Sequence, residues 1–168
     1  MAIYRDFDES YAELPRFLAA LKDADPTTVI QLMCDSHDVL GTCTFNCAFW
    51  AFGPCIEGFK HCKLVINIDA MHLYGKYKEK LLIAMATDAN NKVYLFTFAV
   101  VESESKETWG WFLACLIRFV TDQTNLCIIS DRNSGIKACF DDRSMTWLQP
   151  PQAHHQYCLC HVASNVNT

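Results

Sequence analysis

The sequence lacks the long apolar runs that a membrane-spanning helix requires. Its longest unbroken run covers seven residues, Trp111 to Ile117, whereas a spanning helix needs about 20. No apolar stretch lies near the start, where Asp6, Asp8 and Glu9 stand instead, so we expect no secretory signal peptide and no membrane partner. The P-loop, GxGxxG, GxSxG and HExxH motifs are also missing. Common nucleotide-binding, esterase and zinc-protease classes are therefore disfavoured.

Positive charge is scarce for a protein that binds nucleic acid. The 168 residues carry 14 lysines and arginines against 19 aspartates and glutamates, a net charge of -5. The excess acid lies within residues 1–40, and lysines gather between residues 60 and 80. A contact with DNA phosphates would depend on this local patch, and a solvated charged face is the alternative. Its lysines are Lys60, Lys63, Lys76, Lys78 and Lys80.

CxxC pairs are absent too, although the chain has 10 cysteines. Without a signal peptide, reduced thiols are favoured over a disulfide framework. Most of these cysteines are expected to behave as small buried apolar residues. The length and the 51% apolar content are typical of about one globular domain.

Hydrophobic spacing predicts an α/β chain. From residue 64 the predicted order is β-β-β-α-β-α-β-α, with a tight turn at residues 88–91 and Ser105 capping a long helix. Upstream, the pattern predicts a helix over 8–24, a strand over 27–34 and a loop over 35–44. Later segments are predicted as a helix over 134–142, a short strand from Met145 to Gln149, and a helical tail from Tyr157.

The predicted order brings two aspartates together. Three strands joined by tight turns should be antiparallel, and the strand after the long helix returns parallel to the first through a right-handed crossover. Asp69 lies inside the first of these strands and Asp131 follows the fourth. Two carboxylates at one sheet edge suit Mg²⁺ or Mn²⁺. The alternatives are a frayed strand with Asp69 in water, and a turn-forming role for Asp131.

The tail AHHQYCLCH has the densest set of metal-ligand residues. Cys158 and His161 are three residues apart and share a face if helical, and thiolate with imidazole suits zinc. A zinc site needs further ligands, for which His154 or His155 are candidates. The alternative is a helix with a buried cysteine and a partly exposed histidine.

The string IDAMHLYGKYKEKLLIAMATDANNKVYLFTFAVVESESKETWGWFL, from Ile68 to Leu113, resembles the catalytic core of plant Mutator-like element (MULE) transposases. ISDRNSGI at 129–136 and HQYCLCHVASN at 155–165 are similar to the next two blocks of that family, in the same order. The upstream stretches YAELPRFLAALKDADPTTV and FNCAFWAFGPCIEGFKHCK look like the segment that precedes this core. The resemblance therefore covers most of the chain.

The resemblance implies an RNase H-like fold, with a mixed sheet of three antiparallel strands plus parallel strands, flanking helices and a helical N-terminal segment. It implies a DDE site for cutting and rejoining DNA with Mg²⁺ or Mn²⁺, in which Asp69 is the first acid and Asp131 the second. Cys158 and His161 match the C-x2-H element, a possible zinc site. DNA at transposon ends is the implied partner, and the nucleus is the implied location. The resemblance is also compatible with an oligomer. Candidate DNA contacts are Lys76, Lys78, Lys80 and Arg132.

The chain departs from the family pattern at its acids. The third acid, a glutamate beyond the C-x2-H element, is missing before Thr168, and Glu102 and Glu104 belong to a different block. The expected division is an N-terminal helical or linker segment over 1–60 and a core over 61–168 truncated before that acid. We expect this truncated core to lack the family's zinc domains on either side, and several usual residues are replaced, including Met71 where threonine is common.

Three functional hypotheses follow from these observations. The first is a transposase-derived catalytic domain that is incomplete and inactive alone, so that its being an enzyme stays open. The second is a domesticated, non-catalytic module that binds DNA or protein in transcriptional control. The third is a zinc-stabilised fragment built on Cys158 and His161.

Overall fold

The computed structural model of the protein describes residues 7–37, 42–74 and 76–164. These ranges contain five helices and seven strands, and a single 3-10 turn at Thr146–Leu148 precedes the last strand. None of the helices in these ranges is long and apolar enough to cross a lipid bilayer. The elements are α1 Phe7–Ala24, β1 Val29–His37, β2 Thr42–Ala51, α2 Gly53–Phe59, β3 Cys62–His72, β4 Lys80–Asp88, β5 Val93–Val101, α3 Lys106–Phe119, β6 Leu126–Ser130, α4 Ser134–Asp141, β7 Ala153–Tyr157 and α5 Leu159–Ser164.

The described strands form one seven-stranded mixed sheet with the order β1-β2-β5-β4-β3-β6-β7. β3, β4 and β5 pair antiparallel, and β5 also pairs antiparallel with β2. β6 runs parallel to β3, and β7 runs parallel to β6. The predicted α/β class is confirmed, as are the three antiparallel strands and the parallel return of the strand that follows the long helix.

The predicted hairpin between β4 and β5 is confirmed. The Asp88 carboxylate accepts hydrogen bonds from the backbone N–H groups of Asn90 and Lys92, both at 2.8 Å. Asn91 adopts a φ of 61°, which asparagine tolerates better than most residues. This local chemistry closes the turn and fixes the register of the two strands.

Helix α3 begins where the sequence predicts. The Ser105 hydroxyl accepts a hydrogen bond from the Thr108 N–H at 3.2 Å, and the Thr108 hydroxyl accepts one from the Ser105 N–H at 2.9 Å. This reciprocal pair satisfies two backbone donors that a helix start leaves without partners. The apolar face of α3 is fully buried, and its residues are Trp109, Phe112, Leu113 and Leu116.

The main core lies between α3 and one face of the sheet. Phe49 of β2 contacts the Phe112 ring with a centroid separation of 5.9 Å, and Phe59 of α2 stacks on Phe96 of β5 at 4.6 Å. Alternate residues of the central strands complete this face, namely Ile66, Ile68, Leu82, Ala84, Ala86 and Ile128. The other face of the sheet is left for the candidate site.

Three local predictions were wrong in part. Most of the predicted loop over 35–44 is strand, because β1 extends to His37 and β2 begins at Thr42; residues 38–41 lie outside the described residues. The predicted strand at 145–149 is a turn, in which the Leu148 N–H donates to the Met145 carbonyl. The polar segment at 153–157 forms β7 instead, so the tail helix begins at Leu159.

The predicted N-terminal segment contributes to the same sheet as the core. β1 pairs with β2 over residues 29–37, and Cys47 to Trp50 of β2 pair with β5. Helix α1 is present as the sequence predicts. A boundary between segment and core near residue 60 stays a prediction.

Candidate functional site

Asp69 lies on the sheet face opposite the main core. Its strand neighbours Ile66 and Ile68 point into the core, and Asp69 pairs across the ladder with Ile83 of β4. The side chain is half-buried, and one carboxylate oxygen accepts the Ala70 N–H at 2.9 Å. A carboxylate in this position is only partly solvated, which favours a paired or metal-bound role over a frayed strand.

Asp131 lies at the same edge of the sheet, directly after β6. Asn67 of β3 pairs with Ile129 of β6, and each aspartate is two residues beyond its member of this pair. The Asp131 carboxylate accepts the Asn133 N–H at 2.9 Å, so it also forms the turn that the sequence allowed. The structure therefore places Asp69 in β3 and Asp131 just past the end of the neighbouring parallel strand β6, each two residues beyond the same ladder pair.

The two carboxylates fit a hard divalent cation that keeps several of its waters. Mg²⁺ is typically held by one or two carboxylates, with water and substrate oxygens completing an octahedron. Both side chains are half-buried rather than sealed, which leaves access for those ligands. Within the described residues, no three histidine, cysteine, aspartate or glutamate side chains converge as a complete metal-binding group.

A pocket of about 190 Å³ opens beside Asp69. It brings Asp69 together with Cys158, which directly precedes α5, and with His161, the third residue of that helix. Both side chains therefore line one pocket, although Cys158 itself lies outside the helix. Apolar groups from the neighbouring strands line the rest of the pocket, among them Met85, Val93 and Ile129.

His154 and His155, the two histidines upstream of Cys158, do not line this pocket. The His155 ring stacks on Phe140 with centroids 4.3 Å apart, and its Nε2 lies 2.9 Å from the Ser130 hydroxyl. Burial lowers the pKa of His155, so the ring is held neutral in this packed position. His154, on the alternate side of β7, is exposed. Neither lines the pocket that holds Cys158 and His161.

The candidate DNA-binding residues differ in their exposure. Lys76, Lys78 and Arg132 are exposed, the first two between β3 and β4 and the third directly after Asp131. Lys80 is half-buried instead: its Nζ lies 3.4 Å from a Glu104 carboxylate oxygen and within 3 Å of both ring nitrogens of His72. Lys80 is therefore a structural ion-pair partner in this arrangement.

Sequence reasoning missed two tyrosines beside these lysines. Tyr74 is 97% exposed, and Lys76 lies over the Tyr77 ring at 5.1 Å from its centroid. Together with Lys78, these residues line a second pocket between β3 and β4. The alternation of aromatic and basic residues in YGKYKEK was the available signal, because exposed rings among lysines are typical of surfaces that bind nucleic acid.

A family model described as the MULE transposase domain matches residues 65–165 of this chain. A curated protein of Arabidopsis thaliana, "Putative protein FAR1-RELATED SEQUENCE 10", is 24% identical over 117 residues. That alignment covers 70% of this chain and 16% of the Arabidopsis protein. The family match spans more than half of the chain and includes both aspartates and the C-x2-H element. The chain therefore belongs to the MULE transposase domain family.

Proposed function

We propose that this chain is an RNase H-like, transposase-derived domain in which Asp69 and Asp131 together bind Mg²⁺ or Mn²⁺. The observation that carries the proposal is the register of β3 and β6, since each aspartate follows the Asn67–Ile129 pair by two residues. When bound, a divalent cation supplies Lewis-acid activation of a water or 3′-hydroxyl at a DNA phosphodiester.

Different residues of this chain have different roles at the proposed site. Asp69 belongs to a strand that is paired on both sides, and Asp131 belongs to a turn. Exposed Arg132 follows Asp131 and supplies positive charge for a phosphate next to the carboxylates. Glu104 does not serve as a third acid, because its carboxylate is bound by Asn133 and Lys80. We therefore propose that residues 1–168 bind the cation and DNA without cleaving DNA by themselves.

The first experiment is manganese binding by calorimetry with the wild type and Asp69→Asn. We expect measurable binding by the wild type and its loss in the variant, because the amide keeps the shape of the side chain and removes its charge. Asp23→Asn, which removes the same charge from an exposed position on α1, is the matched control and should bind like the wild type. Equal binding by wild type and Asp69→Asn would refute the site.

A second candidate function is a non-catalytic DNA-binding module in transcriptional control, located in the nucleus. The observation in its favour is the exposed loop in which Tyr74 and Tyr77 alternate with Lys76 and Lys78. The double variant Lys76→Ala/Lys78→Ala should lower DNA affinity and reduce the salt slope of log K by about two, close to one per lost phosphate contact. Fluorescence anisotropy at several salt concentrations measures both. DNA binding whose affinity does not depend on salt would exclude this interface. The remaining version of this hypothesis would then be a module that binds a protein partner.

A third candidate is zinc bound by Cys158 and His161. It is favoured by the pocket that Cys158 and His161 line together, which brings a thiol and an imidazole to one place. Zinc binding would raise the melting temperature, and a chelator would reverse the increase. Cys158→Ala should abolish the zinc response, and an unchanged response in that variant would exclude this site.

A further inference from the structure

Glu104 connects three elements close to Asp131. It lies between β5 and α3, where its Oε2 accepts a hydrogen bond from the Asn133 side-chain amide at 2.8 Å. Its Oε1 lies 3.4 Å from Lys80 Nζ at the start of β4, and the two side chains are 21% and 16% exposed. Because water is largely excluded from this pair, the contacts are stronger than those of an exposed surface ion pair.

Asn133 links Glu104 to Asp131 by hydrogen bonds to both carboxylates. Its side-chain oxygen accepts the N–H groups of Gly135 and Ile136 at the start of α4, at 2.8 and 3.4 Å. Its own backbone N–H donates to the Asp131 carboxylate at 2.9 Å. The side-chain oxygen is thus occupied by the helix start, and the side-chain nitrogen faces Glu104. One residue thereby joins the Glu104 carboxylate, the first turn of α4 and the second aspartate.

The backbone brings the two loops close enough for this bridge. A Cβ at Gly135 would lie 2.9 Å from the Ser105 carbonyl carbon and 3.0 Å from its oxygen, so a larger residue would push the loops apart. At the other end of α4, Lys106 pairs with Asp142 at 2.8 Å. Helix α4 is therefore fixed against the start of α3 at both ends, and Glu104 lies at the end nearest Asp131.

We propose that Glu104 is a positioning residue for the cation site, which holds the Asp131 carboxylate beside Asp69 through its hydrogen bond to Asn133. Lys80 offsets the negative charge that Glu104 would otherwise add near Asp131. The inference rests on the proposed cation site and adds to it a residue that does not itself touch the cation.

Hydrogen exchange and manganese binding together test the proposal. In the cation-free protein, Glu104→Ala should speed amide exchange at residues 133–137 by about tenfold, the loss expected for one shielded, charge-assisted hydrogen bond. Manganese affinity should fall by about the same factor. Glu104→Gln keeps an acceptor for Asn133 and should restore most of the protection. Glu102→Gln removes a charge from an exposed position two residues away and is the matched control.

Each outcome decides the proposal. Unchanged exchange in Glu104→Ala would overturn the bridge. Faster exchange with unchanged manganese affinity would overturn the positioning role and leave a structural contact. A wild type that binds no manganese would end the proposed function and the positioning role with it, while exchange would still show whether the bridge exists. If Glu104→Ala does not fold, Asn133→Ser keeps a helix-capping oxygen, removes the donor to Glu104, and should give the same two effects.

Discussion

The two faces of the central sheet differ in what covers them. On the face toward α3, residues such as Ile66, Ile68 and Leu82 have almost no exposed surface. On the opposite face, the neighbouring positions of the same strands carry Asn67 and the half-buried Asp69. The alternation of side chains along a strand thus separates a stabilising face from a face available for chemistry.

This difference predicts which property a mutation on each face should change. Substitutions on the α3 face should change the free energy of unfolding, whereas substitutions around Asp69 should change binding with little effect on stability. Ile83 is an exception, because it is buried on the Asp69 face, where it is the ladder partner of that residue. The following predictions test the contrast.

The largest effect is expected from Trp109→Ala. The indole is fully buried, and its removal should lower the free energy of unfolding by about 3–5 kcal/mol. Trp109→Phe should cost less, because the indole N–H has no hydrogen-bond partner among the residues that the structure describes, and its loss leaves no new unpaired group there. Urea denaturation measures both variants. An alanine variant as stable as the phenylalanine variant would contradict the importance of this face.

The second-largest effect is expected in thiol reactivity, which should differ between the α3 side of the sheet and the Asp69 side. Burial raises the pKa of Cys115 and of Cys139 from an ordinary 9.0 to about 11. At pH 8 both thiols therefore stay protonated, with a thiolate fraction about a hundredfold below that of an unperturbed thiol. Exposed Cys160 should react first with iodoacetamide, and Cys158 in the pocket should follow. Mass spectrometry over time gives the order. Early labelling of Cys115 in the folded protein would show that the α3 face opens.

A smaller effect is expected at the start of α3. Ser105→Ala removes the side-chain acceptor for the Thr108 N–H and should lower stability by about 1 kcal/mol. Ser103→Ala is the matched control, because Ser103 is exposed and only its backbone carbonyl takes part in the local hydrogen bonding. Thermal unfolding followed by circular dichroism compares the two. An equal loss in both variants would contradict the capping role.

The smallest effect is expected on the open face, the face of the sheet that carries Asp69. Leu95 is 43% exposed there, so Leu95→Thr should change stability by less than about 0.5 kcal/mol. Leu82→Thr on the adjacent strand should cost several times more, because Leu82 is fully buried in the main core. Denaturant titration of the pair measures the contrast directly. Similar losses in the two variants would mean that the open face is covered in solution.

Local signals made much of this fold predictable. The Ser105 cap, the apolar spacing of α3 and the turn at Asp88 depend on residues a few positions apart, and the sequence predicts all three. The crossover rule then predicts the parallel β6 and the shared edge of Asp69 and Asp131. The polar strand β7 escaped prediction because its burial alternates over histidine and glutamine rather than over apolar residues.

The supporting contacts of the site could not be predicted in the same way. Glu104 and Asn133 are 29 residues apart, and neither lies in a pattern that identifies the other as its partner. Sequence spacing also could not show that Lys80 is bound by Glu104 while Lys76 and Lys78 remain exposed. Such pairings depend on how two loops pack, which only the assembled fold determines.

The position of β3 in the strand order has a consequence for how the site can move. β3 is hydrogen-bonded to β4 at Asp69 itself and to β6 as far as Asn67, two residues earlier, so displacing Asp69 would break the β3–β4 ladder beside a second ladder that fixes the same strand. Asp131 lies beyond the end of β6 and depends on side-chain contacts from its own turn. A ligand that draws the two carboxylates together should therefore shift the Asp131 turn and leave the Asp69 strand in place. The site has one immobile half and one adjustable half.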